Sequence, residues 1–228
     1  MRLPGERVLI DGPAGKIELA IDHPTGFPDE GALEAARGIG LVAHPHPLYG
    51  GTLDNKVAQT LARTFAELGY VALRPNFRGV GASAGTHDHG VGETDDLVAV
   101  IGWARDRYGA LPVALAGFSF GAYVVTRVAE RVAPERVVLV GAPYGLVPGG
   151  REYFTGRVPE DTIVIHGEQD ETAPLANLLD WARPQELPVI VVPGADHFFH
   201  RRLAVIKRIV KGQWRVRGQR TEDRGQIA

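Results

Sequence analysis

The chain has no cysteine. Disulfides, thiolate metal centres and a cysteine nucleophile are therefore excluded together, and any covalent chemistry must use another side chain. An excess of either charge is also missing: 25 lysines and arginines against 27 aspartates and glutamates leave a formal net charge of −2. Without a basic footprint, neither nucleic acid nor an anionic membrane is expected as a partner. No apolar run approaches the roughly 20 residues that span a bilayer. The segment Met1-Arg2-Leu3-Pro4-Gly5-Glu6-Arg7 lacks the apolar core of a signal peptide. These absences give the expectation of a cytoplasmic protein acting on a small molecule.

What is present is globular: 44% apolar and 23% charged residues over 228 positions suffice for one large domain with a substantial core. The expected domain spans residues 1–217, and the polar, aperiodic stretch 218–228 is expected to be a flexible tail. Strand patterns alternate with helix patterns throughout. Arg7–Ile10 and Lys16–Ile21 straddle a Gly-Pro-Ala-Gly turn, and the alternation of the second predicts an antiparallel edge strand. Apolar strands are expected at 40–43, 71–73, 112–116, 136–141, 162–165 and 188–192. Helices are expected at about 55–68, after the elbow serine, at 175–181 and through Leu203, Ile206, Ile209 and Val210. A further helix is expected to carry Asp95 and Asp96 in its first turn. Continuous apolar strands joined by helices predict an α/β fold, a mostly parallel twisted sheet of about seven to eight strands with helices on both faces.

One stretch carries chemistry. Pro112-Val113-Ala114-Leu115-Ala116 runs into Gly117-Phe118-Ser119-Phe120-Gly121, and an apolar helical pattern follows at once. Gly-x-Ser-x-Gly is common by chance in a chain with 29 glycines, but strand, tight turn and helix around the serine are the context a nucleophile needs. A serine hydroxyl attacks only when a base takes its proton and an acid orients that base. His197, in Pro193-Gly194-Ala195-Asp196-His197, follows the last strand. Asp170, in His166-Gly167-Glu168-Gln169-Asp170, follows the strand before it. Ser, Asp and His thus fall in chain order after separate parallel strands, so all three converge on one sheet edge. Glu168, Glu171, Asp196 and Glu152 are rival acids. Asp196 ranks low because adjacent side chains rarely face one another. His166 is expected to pack or hydrogen-bond within its loop.

Two other motifs are set aside. Gly79-Val80-Gly81-Ala82-Ser83 lacks the spacing and following helix of a dinucleotide loop. His87-Asp88-His89 has no further ligands at metal-binding spacing and is expected to be a solvated loop. Neither cofactor nor metal is expected.

On these residues the chain resembles the α/β-hydrolase superfamily over nearly its whole length. Within it, it resembles a compact bacterial branch marked by His44-Pro45-His46-Pro47-Leu48-Tyr49-Gly50-Gly51. The segment Arg74-Pro75-Asn76-Phe77-Arg78-Gly79 also resembles that superfamily's loop after the fourth strand. The resemblance implies Ser119 as nucleophile, Asp170 as acid and His197 as base. It also implies an oxyanion hole from Phe120 and the His-Pro-His-Pro loop. There Pro45 and Pro47 have no N–H, so His46 and then Leu48 are the available donors. The stretch 142–161 is too short for a helical cap. The site is therefore expected to be open, rimmed by Tyr49, Tyr144 and Phe198, and suited to esters of short acyl chains. A thioesterase or peptidase would use the same triad, and a non-catalytic binding protein on this fold is the alternative from another class.

Overall fold

The computed structural model describes residues 5–24 and 36–214. The expected tail at 218–228 lies outside the described residues. In chain order the strands are β1 (Glu6–Gly12), β2 (Gly15–Asp22), β3 (Gly38–Ala43), β4 (Tyr70–Pro75), β5 (Val113–Phe118), β6 (Arg136–Val140), β7 (Gly145–Val147), β8 (Arg151–Tyr153), β9 (Ile163–Gly167) and β10 (Val189–Val192). The helices are α1 (Lys56–Glu67), α2 (Val91–Tyr108), α3 (Phe120–Val132), α4 (Leu175–Ala182) and α5 (Leu203–Gln213). Eight strands form one sheet in the order β1-β2-β4-β3-β5-β6-β9-β10, while β7 and β8 pair separately as a hairpin. From β4 to β10 every pairing is parallel, and β1 and β2 add antiparallel at one edge. This is the α/β-hydrolase fold without a lid.

Both faces of the sheet are buried, which is why its strands read as continuous apolar runs. Along β5, Val113 and Leu115 meet α2 and α3 residues such as Leu97, Val100, Val124 and Val128. Ala114, Ala116 and Phe118 face the other way, onto Val57, Leu61 and Phe65 of α1 and Ile206 and Val210 of α5. The parallel strands therefore share one carboxyl edge, where the loops after β3, β5, β9 and β10 meet.

Three local expectations are corrected. β2 is not an edge strand: it lies between β1 and β4, and β1 takes the edge. The polar position that suggested solvent is instead satisfied within the fold. Glu18 accepts from Arg7 at 3.0 Å, Asn76 Nδ2 at 2.7 Å and the Ala82 N–H at 2.9 Å. β10, by contrast, is the other edge, and Val189, Ile190 and Val191 are not fully buried. An apolar run cannot by itself distinguish the two situations. Finally, α2 begins four residues before Asp95. Glu93 closes the helix start by accepting from the Asp88 N–H at 2.9 Å and the Gly90 N–H at 2.8 Å, so Glu93 occupies the first turn.

Asp96 has a different task. It receives Arg78 Nε at 2.7 Å and Nη2 at 2.9 Å, a two-point contact that ties α2 to the loop after β4. Asp96 is nearly fully buried and Arg78 mostly so. Removing one partner leaves the other charge desolvated, at a cost of about 3 kcal/mol or more. Asp96→Ala should lower the unfolding free energy by that amount in urea titrations. A change under about 0.5 kcal/mol, the surface norm, would mean the pair does not hold this junction.

Candidate active site

β5 ends and α3 begins with only Ser119 between them. Its backbone sits at φ 56°, ψ −123°, a conformation that a residue with a Cβ rarely adopts. Two glycines make this turn possible. A Cβ on Gly117 would lie 2.4 Å from the Gly121 oxygen and 2.6 Å from Ala122 Cα. A Cβ on Gly121 would lie 2.4 Å from the Ala43 oxygen and 2.5 Å from that of His44. The first contact lets the chain double back, and the second lets α3 press against the end of β3. The Ser119 N–H donates to Val140 O at 2.9 Å, fastening the turn to β6.

The two other side chains arrive on loops that are themselves fastened together. The N–H groups of Glu168 and Gln169 donate to Val192 and Ala195, linking the loop after β9 to the loop after β10. Gly167 permits that approach, since a Cβ there would meet the Ala195 oxygen at 2.5 Å. Ser119 Oγ lies 2.9 Å from His197 Nε2, and His197 Nδ1 lies 2.7 Å from Asp170 Oδ2. An ionised Asp170 can only accept, so His197 carries its proton on Nδ1 and Nε2 is free to accept from the serine. Asp170 Oδ1 accepts from the N–H groups of Thr172 at 3.0 Å and Ala173 at 2.7 Å. Relative exposures of 9% for Ser119, 7% for Asp170 and 4% for His197 shield these bonds from water.

The rival acids lie elsewhere. Asp196 pairs with His200 at 2.6 Å, Glu168 accepts from the Gly194 N–H, and Glu152 and Glu171 are exposed. His166 is fully buried. Its Nε2 donates to Ala173 O at 2.8 Å, and burial lowers its pKa.

The loop after β3 is built from its histidines. His44 is fully buried, with Nδ1–H donating to Pro45 O at 2.7 Å and Nε2 accepting from the Phe77 N–H at 2.9 Å. It thereby bolts this loop to the loop after β4. The Leu48 N–H is directed at His46 Nδ1, 3.3 Å away, and so closes a turn rather than facing a ligand. Among the described residues, the His46 and Phe120 N–H groups have no acceptor, and Phe120 is the first residue of α3. Of the expected rim, Tyr49 and Phe198 are exposed, and the Phe198 ring lies 5.1 Å from His197. Tyr144 is half-buried and packed against the core.

Sequence reasoning missed two features. The His87-Asp88-His89 run is not simply solvated. The His87 side chain is largely buried, 2.8 Å from Glu93, with its ring on those of His46 and Phe120. Its six-residue separation from a buried glutamate gave no metal pattern, and no residue type marks such packing. The β7–β8 hairpin was also missed, although Pro148-Gly149-Gly150 between short apolar and aromatic segments is a turn signal. Among the described residues, no group of three or more His, Asp or Glu side chains could hold a metal ion, and no helix is long and apolar enough to cross a membrane.

A strained serine between parallel strand and helix, hydrogen-bonded to a histidine and through it to an aspartate, defines an α/β serine hydrolase. Residues 28–144 match the family model described as X-Pro dipeptidyl-peptidase (S15 family), and the chain belongs to this family. An uncharacterized protein of Rickettsia prowazekii is 32% identical over 203 residues, covering 85% of this chain and 82% of its own length. A lidless α/β serine hydrolase from Xanthomonas campestris superposes with a TM-score of 0.79 at 35% identity, over 93% of this chain and 94% of that one. An α/β serine hydrolase homologue from Coxiella burnetii gives 0.77, also at 35% identity, over 92% and 98%.

The buried histidines make a prediction about pH. Burial pushes His44 down to about 4, outweighing its bond to Pro45, and burial together with His87, Arg151 and His89 pushes His46 to about the same value. An unfolded histidine titrates near ~6.5, so between these values the unfolded chain binds more protons. Stability is therefore full above pH ~6.5 and falls as pH drops toward ~4, with His44 alone accounting for about 3 kcal/mol. His44→Asn should be less stable than wild type at pH 7.5 and lose less on acidification. Equal slopes in urea melts from pH 7.5 to 4.5 would show that His44 is not buried and neutral.

Proposed function

We propose that this protein hydrolyses carboxylic esters of small molecules in the cytoplasm through a Ser119–His197–Asp170 triad. The single observation that carries the reading is the unbroken hydrogen-bond chain, 2.9 Å and then 2.7 Å, starting at a serine held in a strained turn. Ser119 Oγ attacks the acyl carbon while His197 Nε2 takes its proton. The resulting imidazolium is stabilised by Asp170, then protonates the departing alkoxide. Water, deprotonated by the same nitrogen, cleaves the acyl-enzyme.

The oxyanion is assigned to the Phe120 and His46 N–H groups. Phe120 adds the positive end of the α3 dipole, and His46 lies between two prolines that stiffen its loop. Donors without an intramolecular acceptor are available without rearrangement. The segment between β6 and β9 holds a short hairpin in place of a helical cap, and Tyr49 and Phe198 lie exposed. An open site of this kind favours short acyl groups.

Ser119→Ala should abolish turnover of p-nitrophenyl acetate while leaving the circular dichroism spectrum unchanged. Asp170→Asn should lower kcat roughly 10⁴-fold, because a neutral amide no longer fixes the histidine tautomer. Wild-type activity in a folded Ser119→Ala protein would refute the assignment. The family match gives a second reading, cleavage of an amide after an X-Pro dipeptide. Turnover of Ala-Pro-p-nitroanilide in preference to the acetate ester would favour that reading.

A further inference from the structure

The serine's two sequence neighbours point to opposite sides of the site. The Phe118 ring lies 5.0 Å from His197 and 6.1 Å from Phe198. The Phe120 ring lies 4.8 Å from His46. Because His197 must protonate the leaving alkoxide, the leaving group stays on the Phe118 side. The acyl group then extends toward His46. On that side the ring contacts continue: His46 meets Tyr49 at 4.8 Å, and the Arg151 guanidinium lies 4.6 Å over the Tyr49 ring. Tyr153, two residues on along β8, reaches back to Phe120 at 6.4 Å, so the hairpin forms the wall of this half of the site.

Arg151 is under-satisfied for a guanidinium with five donors. Its Nε is buried with no hydrogen-bond partner. Nη1 and Nη2 reach only Tyr153 Oη at 3.5 Å and Pro148 O at 3.3 Å. Among the described residues no carboxylate lies within ion-pair distance of it, although Arg7, Arg74, Arg78, Arg131 and Arg136 all have one. Its neighbour Glu152 alternates to the opposite face of the strand and is exposed. Glu93, which lies against His87, already accepts from two N–H groups.

We propose that Arg151 binds a carboxylate carried on the acyl group, so that the substrates are monoesters of short dicarboxylic acids. The proposal rests on the ester-hydrolase reading and adds its substrate class. A planar fork with free N–H groups suits a carboxylate, and Tyr49 and Tyr153 hold the fork in place. The same charge disfavours an acyl group bearing a free ammonium, which is what an X-Pro dipeptidyl substrate presents.

The test compares the p-nitrophenyl monoesters of glutaric and adipic acid with p-nitrophenyl pentanoate and hexanoate. Wild type should favour the anionic member of at least one pair about tenfold in kcat/KM, and 0.5 M NaCl should reduce the preference. Arg151→Gln should lower the anionic-to-neutral ratio by about the same factor, and Arg151→Lys should restore part of it. An equal ratio in wild type and Arg151→Gln would overturn the proposal. Calorimetric titration of glutarate into the Ser119→Ala protein tests the anion site without turnover. Heat of binding that disappears with Arg151→Gln supports the site even if every ester is inert, in which case the hydrolase reading alone fails. Absence of glutarate binding together with no anionic preference rejects the site.

Discussion

The close approach of α3 to the ends of β3 and β5 is the constraint on which the rest of the site depends. A methyl group on Gly117 or Gly121 would stand within about 2.4 Å of backbone oxygen, and backbone cannot move aside as a side chain can. With those positions empty, Ser119 is forced to φ 56° at the head of the helix, its hydroxyl toward the His197 loop. The same approach brings the Phe120 N–H and the loop after β3 to one place. The position of Ser119, the start of α3 and the unpaired Phe120 N–H thus follow from one close approach, with strain at one residue held by the surrounding sheet.

A second layer of the structure holds that arrangement rigid. His44 joins the loop after β3 to the loop after β4, Arg78 and Asp96 join that loop to α2, and backbone hydrogen bonds join the loops after β9 and β10. His44 and Asp96 are buried, and each brace fastens a loop of the carboxyl edge to a neighbouring loop or helix. Burial keeps His44 and His46 neutral in the range where the proposed mechanism needs His197 neutral. Next to them the Arg151 guanidinium lies 4.6 Å over the Tyr49 ring, with its Nε buried and without a hydrogen-bond partner.

Much of this was legible in the sequence. Parallel strands buried on both faces announce themselves as apolar runs, and the order Ser119, Asp170, His197 after three of them identifies the hydrogen-bonded chain before any coordinate is known. What failed was information that the local pattern does not carry. β2 alternates like an edge strand because Glu18 is polar, yet Arg7 and Asn76 satisfy it inside the sheet. β10 reads as buried although it is an edge. The start of α2 depends on Glu93 reaching back to Gly90, whereas Asp95 and Asp96 looked like the acidic first turn. His87 and Arg151 acquire their places only through tertiary packing against Phe120, His46 and Tyr49.

The central claim is that Ser119 is a nucleophile activated by His197. Intact-protein mass spectrometry after treatment with a fluorophosphonate measures this most directly, since that reagent phosphonylates only a serine whose proton a neighbouring base removes. The account predicts a single adduct, mapped by peptide fragmentation to Ser119 and formed far more slowly in His197→Ala. No adduct on the folded wild-type protein, or labelling at the same rate without His197, would contradict it.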